Sequence, residues 1–356
     1  MNVLDDQSVI AQYNSAKVIE SILYLPNQIF QAYQGAAEIK IPATYTKVKN
    51  IVFCGMGGSN LASEMIKSIF KDEIKYPFTL VRNYNLPKFV DKNSLVFISS
   101  YSGNTEETVS CLKQALEKKA KIICLSSGGK IISLAKSHKL PFYQIEKKTN
   151  PSNQPRYGVG LQIGAVLSLF NKLKVIKVGK KEIKDLTLYL RGVNELFDVD
   201  MVLKNNIAKK IAIKIKGHLP VIVTAEFLSA NGHIMANQIN EGADSLAIYN
   251  TIPELNHHLM EGLAYPVAVS AKLKFLFFNS DQYLDIIRKR FMVTQKVLKR
   301  QGIKHIEYCI NGGGKLSSAL EVLIFGSWLS FYLAILNRRD PAAIPWVNFF
   351  KAELKK

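Results

Sequence analysis

Twice in its first third the chain runs an apolar strand into a cluster of glycines or hydroxyls and straight on into an amphipathic helix. The first instance is Ile51-Val52-Phe53-Cys54, leading to Gly55-Met56-Gly57-Gly58-Ser59 and a helical run from Leu61 to Phe70. The second is Val96-Phe97-Ile98-Ser99-Ser100-Tyr101-Ser102-Gly103-Asn104-Thr105-Glu106-Glu107-Thr108, continuing at helical spacing to Lys118. Such a turn aims backbone N–H groups and hydroxyls at the positive end of a helix dipole, which makes an anion cradle. In parallel strands of one sheet, two such turns open side by side at the carboxyl ends, where open α/β sheets bind ligands.

The surrounding pattern supports such a sheet. Strands are expected near 50–54, 78–82, 94–99, 121–125 and 141–145, with helices near 59–71, 105–118 and 129–138. Alternation at this spacing means βαβ units and a mainly parallel sheet. Ahead of it, apolar residues at helical spacing over 7–35 predict a helical arm with Pro26 as a kink or break. Two prolines and Arg156 interrupt the pattern over 150–160, and an apolar helix over 161–173 follows. After a helical stretch at 181–216, a second series starts at Leu219-Pro220-Val221-Ile222-Val223-Thr224-Ala225, with strands near 245–249, 271–278 and 304–309 and helices at 226–240 and 282–301. It has no Ser-Gly-Asn-Thr turn, so one phosphate site per chain is expected. The predicted division is a helical arm 1–40, a first α/β domain 41–155 with the cradle, a helical link 156–216, a second α/β domain 217–310 and closing helices 311–356.

Composition narrows the function. A net charge of +19 invites a nucleic-acid reading, but the lysines are scattered and no zinc-finger, RRM-like or basic-helix pattern accompanies them. The charge is read as aiding solubility and drawing in an anionic substrate. Cys54, Cys111, Cys124 and Cys309 sit in apolar contexts without C-x-x-C spacing, which predicts free buried thiols in a reducing compartment and no metal site. The start, Met1-Asn2-Val3-Leu4-Asp5-Asp6, lacks the features of a leader, so the cytoplasm is the expected location. The apolar run over 322–336 is short for a bilayer and ends at Asn337-Arg338-Arg339-Asp340-Pro341, which predicts a buried core helix and no membrane span.

Two further segments bear on chemistry. Asn237-Gln238-Ile239-Asn240-Glu241-Gly242-Ala243-Asp244 ends a predicted helix with a carboxylate, in isolation an exposed side chain at a mildly unfavourable helix end. Sixteen residues beyond Glu241, Pro253-Glu254-Leu255-Asn256-His257-His258 offers a histidine pair that, in isolation, reads as solvated. At these segments and the two turns the chain resembles the SIS-domain sugar isomerases, specifically the bifunctional phosphoglucose/phosphomannose isomerases, over nearly its whole length. The resemblance implies an α/β fold of two SIS domains, each a mainly parallel sheet flanked by helices, with an N-terminal helical arm and C-terminal helices. It implies that Glu241 and His257 form the catalytic core and that Arg156, in Pro155-Arg156, belongs to the active site. It also implies that Lys351, after Asp340-Pro341, assists ring opening. A loop arginine and a terminal-helix lysine would otherwise be read as solvated charges. A homodimer in which His257 completes the partner's site is implied as well.

The residue types suit the reaction. Aldose–ketose isomerisation of a sugar phosphate needs an acid/base for ring opening, a base moving a proton between C1 and C2, and donors for the enediolate. It needs no metal and no cofactor. A histidine titrates near neutral pH, a partly desolvated glutamate gains basicity, and an arginine stabilises enediolate oxygens by charge-assisted bonds. Gly57, Gly58, Ser59, Ser100, Ser102 and Thr105 would hold the phosphate, whose binding orients C1 and C2. A single base serving both faces of the enediolate would admit both glucose and mannose 6-phosphates. His258, Leu259, Gly242, Asp244 and Ala342 stand where the family often has Asn, Glu, Asn, Lys and Thr, and they bear on sugar preference. The rival readings are an isomerase of another sugar phosphate and a non-catalytic SIS-domain sensor, which would need only the hydroxyl turns. A dinucleotide-binding dehydrogenase lacks support because the first turn has no third spaced glycine.

Overall fold

Two short helices open the computed structural model, which describes residues 2–354 and 356: α1 (Gln7–Gln12) and α2 (Val18–Leu23). Asp6 caps α1 by accepting from the N–H groups of Ser8 and Val9. Pro26 lies in the first turn of α3 (Leu25–Ala37), where its missing N–H has no helical partner to lose. The expected arm is thus three helices, and the proline starts one of them.

The first sheet follows, built from β1 (Asn50–Cys54), β2 (Phe78–Val81), β3 (Ser94–Ser100), β4 (Lys121–Ser126) and β5 (Phe142–Gln144). Between them run α4 (Gly58–Ile69) after β1, α5 (Glu106–Glu117) after β3 and α6 (Gly129–Ser137) after β4. All pairs are parallel and the order is β2-β1-β3-β4-β5. Strands covered on both faces need apolar side chains throughout. Val52, Phe53, Val96, Phe97, Ile122 and Ile123 meet that need with 0–1% exposure. Phe53 stacks on Phe97 at 5.5 Å, and Phe97 meets Phe170 of α7 (Val159–Lys172) at 5.3 Å. Gly160 and Gly164 let α7 approach α3 closely; a Cβ on Gly164 would lie 2.1 Å from the Ile29 carbonyl oxygen.

The expected helical stretch at 181–216 is two helices, α8 (Lys180–Phe197) and α9 (Ile207–Ile215). Asn206 separates them: its side chain caps α9 by accepting from Lys209 N, while its Nδ2 donates to Phe197 O at 2.9 Å. The second sheet comprises β6 (Leu219–Ala225), β7 (Ile248–Ile252), β8 (Leu273–Asn279) and β9 (Lys304–Cys309), parallel in the order β7-β6-β8-β9. Helix α10 (Ser229–Ala243) links β6 to β7, the single turns α11 (Leu259–Gly262) and α12 (Val267–Ser270) precede β8, and α13 (Asp285–Arg300) links β8 to β9. Strand β7 begins three residues later than the sequence pattern suggests. Asn240 explains the delay, because it holds Ala247 by accepting from its N–H at 2.7 Å and donating to its carbonyl at 3.2 Å.

Helices α14 (Lys315–Asn337) and α15 (Pro345–Glu353) complete the chain. By length and composition α14 could cross a membrane, but 94% of its most apolar window is buried inside the protein. A helix apolar all round is a core helix when protein surrounds it. Buried Glu321 on this helix accepts from Tyr308 OH at 2.8 Å and from Asn311 N at 3.1 Å.

Packing divides the chain into two units: Leu23–Arg191, and the preceding and following segments together. The segment before Leu23 therefore belongs with the second sheet. A fully buried lysine fastens it there: Lys209 Nζ donates to Asp5 Oδ1 at 3.0 Å and to Val199 O at 2.8 Å. Cys54, Cys111 and Cys124 are buried and free, as the sequence suggests, whereas Cys309 is exposed at the end of edge strand β9.

Candidate active site

In the first sheet β1 has β2 on one side and β3 on the other, so the connections leave in opposite directions and a crevice opens at the carboxyl ends of β1 and β3. Both glycine or hydroxyl turns lie there. Neither α4 nor α5 is capped by a side chain, and both helices start at the crevice. At the start of α4, Ser59 N and Asn60 N donate back to Met56 O and Gly57 O, ahead of which lie Gly57 N and Gly58 N. Gly57 takes φ +49, a left-handed conformation that favours glycine. Thr105, the residue before α5, bonds Ser100 Oγ through its own hydroxyl at 2.8 Å, and Ser100 Oγ also accepts from Gly103 N at 3.1 Å. Gly57 and Ser102 are exposed and Gly58 and Thr105 half-buried, while Ser59 and Ser100 are buried behind them.

Gly103 takes φ +77, and a Cβ there would lie 1.8 Å from the Gly128 carbonyl oxygen. Gly103→Ala is expected to force the turn at Gly103 away from Gly128 and weaken inorganic phosphate binding about tenfold, read by calorimetric titration. Unchanged binding would remove this turn from the anion site.

Behind the crevice, Ser59 Oγ accepts from Tyr101 N at 2.8 Å. With the Gln162 amide oriented to satisfy its neighbours, Gln162 accepts from Ser59 Oγ at 3.1 Å and donates to the Gly58 and Ser59 carbonyls. At the root of the first turn the Cys54 thiol donates to Cys111, which pushes Cys54 up and Cys111 down in pKa; Cys111 donates onward to Asn83 O at 3.3 Å. Burial pushes the Tyr101 phenol up, with a bond from Asn150 pulling the other way.

Arg156 lies in a 3-10 turn, Pro155–Tyr157, that is close to the first turn: a Cβ on Gly58 would be 3.6 Å from Pro155. Its side chain is buried among its own neighbours, donating to Gln154 Oε1 at 3.4 Å with the guanidinium carbon 5.1 Å from the Tyr157 ring centroid. The structure thus brings Gly57, Gly58, Ser59, Ser100, Ser102 and Thr105 together, with the Arg156 segment beside them.

The other expected residues lie in the second unit. Glu241 is exposed in the last turn of α10. That helix ends at Asp244 in the left-handed region, and α14 and the residues after it finish the cap: Asn337 donates to Ala243 O at 3.0 Å and Arg339 pairs with Asp244 at 3.8 Å. His257 is exposed in the turn Glu254–His257 after β7. The neighbouring Asn256 is held by Thr294 Oγ1 at 2.7 Å and Arg290 at 3.4 Å, both on α13. Since α10 returns from the carboxyl edge of β6 to the amino edge of β7, Glu241 and His257 stand at opposite ends of β7, roughly 16 Å of strand apart. One chain does not bring them together. Lys351 is exposed on α15, which has no buried residue. Among the described residues no group of His, Cys, Asp or Glu is placed to hold a metal ion.

Sequence reasoning missed Tyr101, Asn150 and Gln162. Their role arises from a tertiary convergence over distances of 49 and 103 residues, which no local spacing announces.

Residues 44–170 match the SIS domain family, and residues 204–354 match the family described as bacterial phospho-glucose isomerase C-terminal SIS domain. The chain is similar to the bifunctional phosphoglucose/phosphomannose isomerase of Caldicellulosiruptor bescii, with 30% identity covering 95% of this chain and 98% of that one. It is similar to the enzyme of the same name from Aquifex aeolicus, at 32% identity over 87% and 92% of the two chains. In fold it resembles the crystal structure of a hypothetical protein from Thermus thermophilus, with a TM-score of 0.76 at 15% identity over 98% of this chain and 92% of that one. The sequence matches run through both sheets and both cradle turns, and the chain belongs to the bifunctional phosphoglucose/phosphomannose isomerase family.

Proposed function

We propose that this protein interconverts glucose 6-phosphate and mannose 6-phosphate with fructose 6-phosphate by proton transfer through an enediolate. The observation that carries this reading is the pair of uncapped helix starts sharing one crevice at the switch point of the first sheet, in a chain of this family. The phosphate is held by the N–H groups at Gly57 and Gly58 and by the hydroxyls of Ser102 and Thr105, with Ser59 and Ser100 bracing the two turns. The second sheet also starts two helices, α10 and α13, without side-chain caps after its neighbouring strands β6 and β8, but there β6 runs into Glu226, whose carboxylate accepts from Leu284 N and would repel an anion.

Glu241 takes the C2 proton and returns it at C1, Arg156 stabilises the enediolate oxygens, His257 opens the ring and Lys351 assists it. The separation of Glu241 and His257 along β7 supports a homodimer in which each chain supplies His257 to its partner's site. A base acting on either face of a planar intermediate handles both aldoses. No cofactor enters the reaction. The interconversion would serve glycolysis and gluconeogenesis in the cytoplasm, a location that the free thiols suit.

The test is formation of fructose 6-phosphate from each aldose by purified protein with chelator present. Turnover of both supports the reading; turnover of one reduces it to a monofunctional isomerase. Phosphosugar binding without turnover would make the protein a sensor.

A further inference from the structure

Tyr101 sits between Ser100 and Ser102, yet it is 4% exposed and turns away from the crevice into the protein. Its N–H is bound by Ser59 Oγ, and its carbonyl accepts from Ser127 Oγ at 2.6 Å, so its backbone joins three loops. Its hydroxyl does something separate. It accepts from Asn150 Nδ2 at 2.8 Å, and the second hydrogen of that amide goes to the Gln154 carbonyl at 3.0 Å. Asn150 Oδ1 accepts from Ser152 Oγ at 2.8 Å, leaving this 1% exposed amide fully satisfied. Gln154 in turn meets Arg156 through its side chain and accepts from Tyr157 N at 3.0 Å through its carbonyl.

The space for the pair is specific. A Cβ on Gly158 would lie 2.7 Å from Asn150 Nδ2 and 2.9 Å from Tyr101 Cε2, so only glycine admits both side chains here. Lys147 places its ammonium 5.4 Å from the centroid of the Tyr101 ring, adding a cation–π contact to the same ring. We infer that Tyr101 and Asn150 are positioning residues that fix the Arg156 turn relative to the phosphate cradle. Resting on the isomerase reading above, the inference assigns the hydroxyl of Tyr101 to the geometry of turnover and its backbone to the geometry of phosphate binding.

The experiment separates these two jobs. Tyr101→Phe keeps the ring and every backbone bond and removes only the hydroxyl acceptor. It is expected to speed amide exchange across 150–158 about fivefold while leaving inorganic phosphate affinity within about twofold. Turnover number for glucose 6-phosphate should fall about tenfold in the wild-type background and less than about twofold in Arg156→Ala, because the hydroxyl acts through that arginine. Asn150→Leu, which removes the amide donor at similar volume, should reproduce both effects and add little to Tyr101→Phe.

Unchanged exchange would overturn the inference, as would equal losses of turnover in both backgrounds or a loss of phosphate affinity parallel to the loss of turnover. Absence of turnover in the unmodified protein would instead defeat the isomerase reading, and the link between cradle and Arg156 turn would then stand or fall on exchange and phosphate titration alone.

Discussion

Glu241→Gln and His257→Ala proteins are each expected to lose isomerase turnover by about 10²–10⁴-fold, the range for removing a general acid or base. Mixed, dissociated and reassociated, they should regain activity. In a mixed dimer one site receives an intact Glu241 from one chain and an intact His257 from the other, while the second site lacks both. Random reassociation makes half the dimers mixed, so recovery should approach about a quarter of the unmodified activity. The expectation comes from topology: α10 carries Glu241 to the amino edge of the second sheet, and β7 carries the chain to the opposite edge before His257. Purifying the mixed dimer through two different tags makes the test decisive. A tagged mixed dimer without activity would place both residues in service of the same chain.

A second large effect is expected on stability. Asp5→Ala would leave the Lys209 ammonium, whose side chain is 0% exposed, with Val199 O as its remaining acceptor of the two described above. Breaking a buried ion pair on one side costs about 3–5 kcal/mol, a large share of the 5–15 kcal/mol that holds a typical protein folded. Lys209→Met should cost less, because the Asp5 carboxylate it leaves behind is 20% exposed and still accepts from Leu203 N at 2.9 Å. The double variant should therefore be more stable than Asp5→Ala alone. Urea unfolding curves for the three proteins check the ranking. If Asp5→Ala shifts stability by less than about 1 kcal/mol, the N-terminal segment is not fastened through this pair.

The parallel sheets were legible because each strand is a short apolar run and each link a helix of ordinary length. That β1 and β3 lie side by side followed from the two turns, since residues meant to share one crevice come from neighbouring strands, whereas the order of the remaining strands had no such signal. The cradle was legible for the same local reason: glycines and hydroxyls sit where strand passes to helix. What was not legible depended on partners far away in sequence. Pro26 reads as a break until the chain is seen to start a helix at Leu25, and β7 starts late because Asn240 holds Ala247. Lys209 looks like one more surface lysine, and nothing near it announces that Asp5 is 204 residues away. Cys309 stands in an apolar neighbourhood, but β9 is an edge strand and leaves it open. Glu241 and His257 are sixteen residues apart in sequence, and only the strand between them shows that proximity in sequence is separation in space.

The distribution of thiols gives the folded chain a property of use to the experimenter. Three of its cysteines are shielded in the first unit, where burial pushes Cys124 up to about 12 and the hydrogen bond with Cys111 raises Cys54. Cys309 alone faces solvent, on the unit that carries Glu241 and His257. The native protein is therefore in effect a single-thiol protein, and a fluorophore or spin label coupled through maleimide has one address on it. Partial burial and the neighbouring Glu307 also raise the Cys309 thiol, so coupling proceeds faster at mildly alkaline pH. No cysteine need be removed to place that reporter, and the two turns at the crevice of the first sheet are left unlabelled.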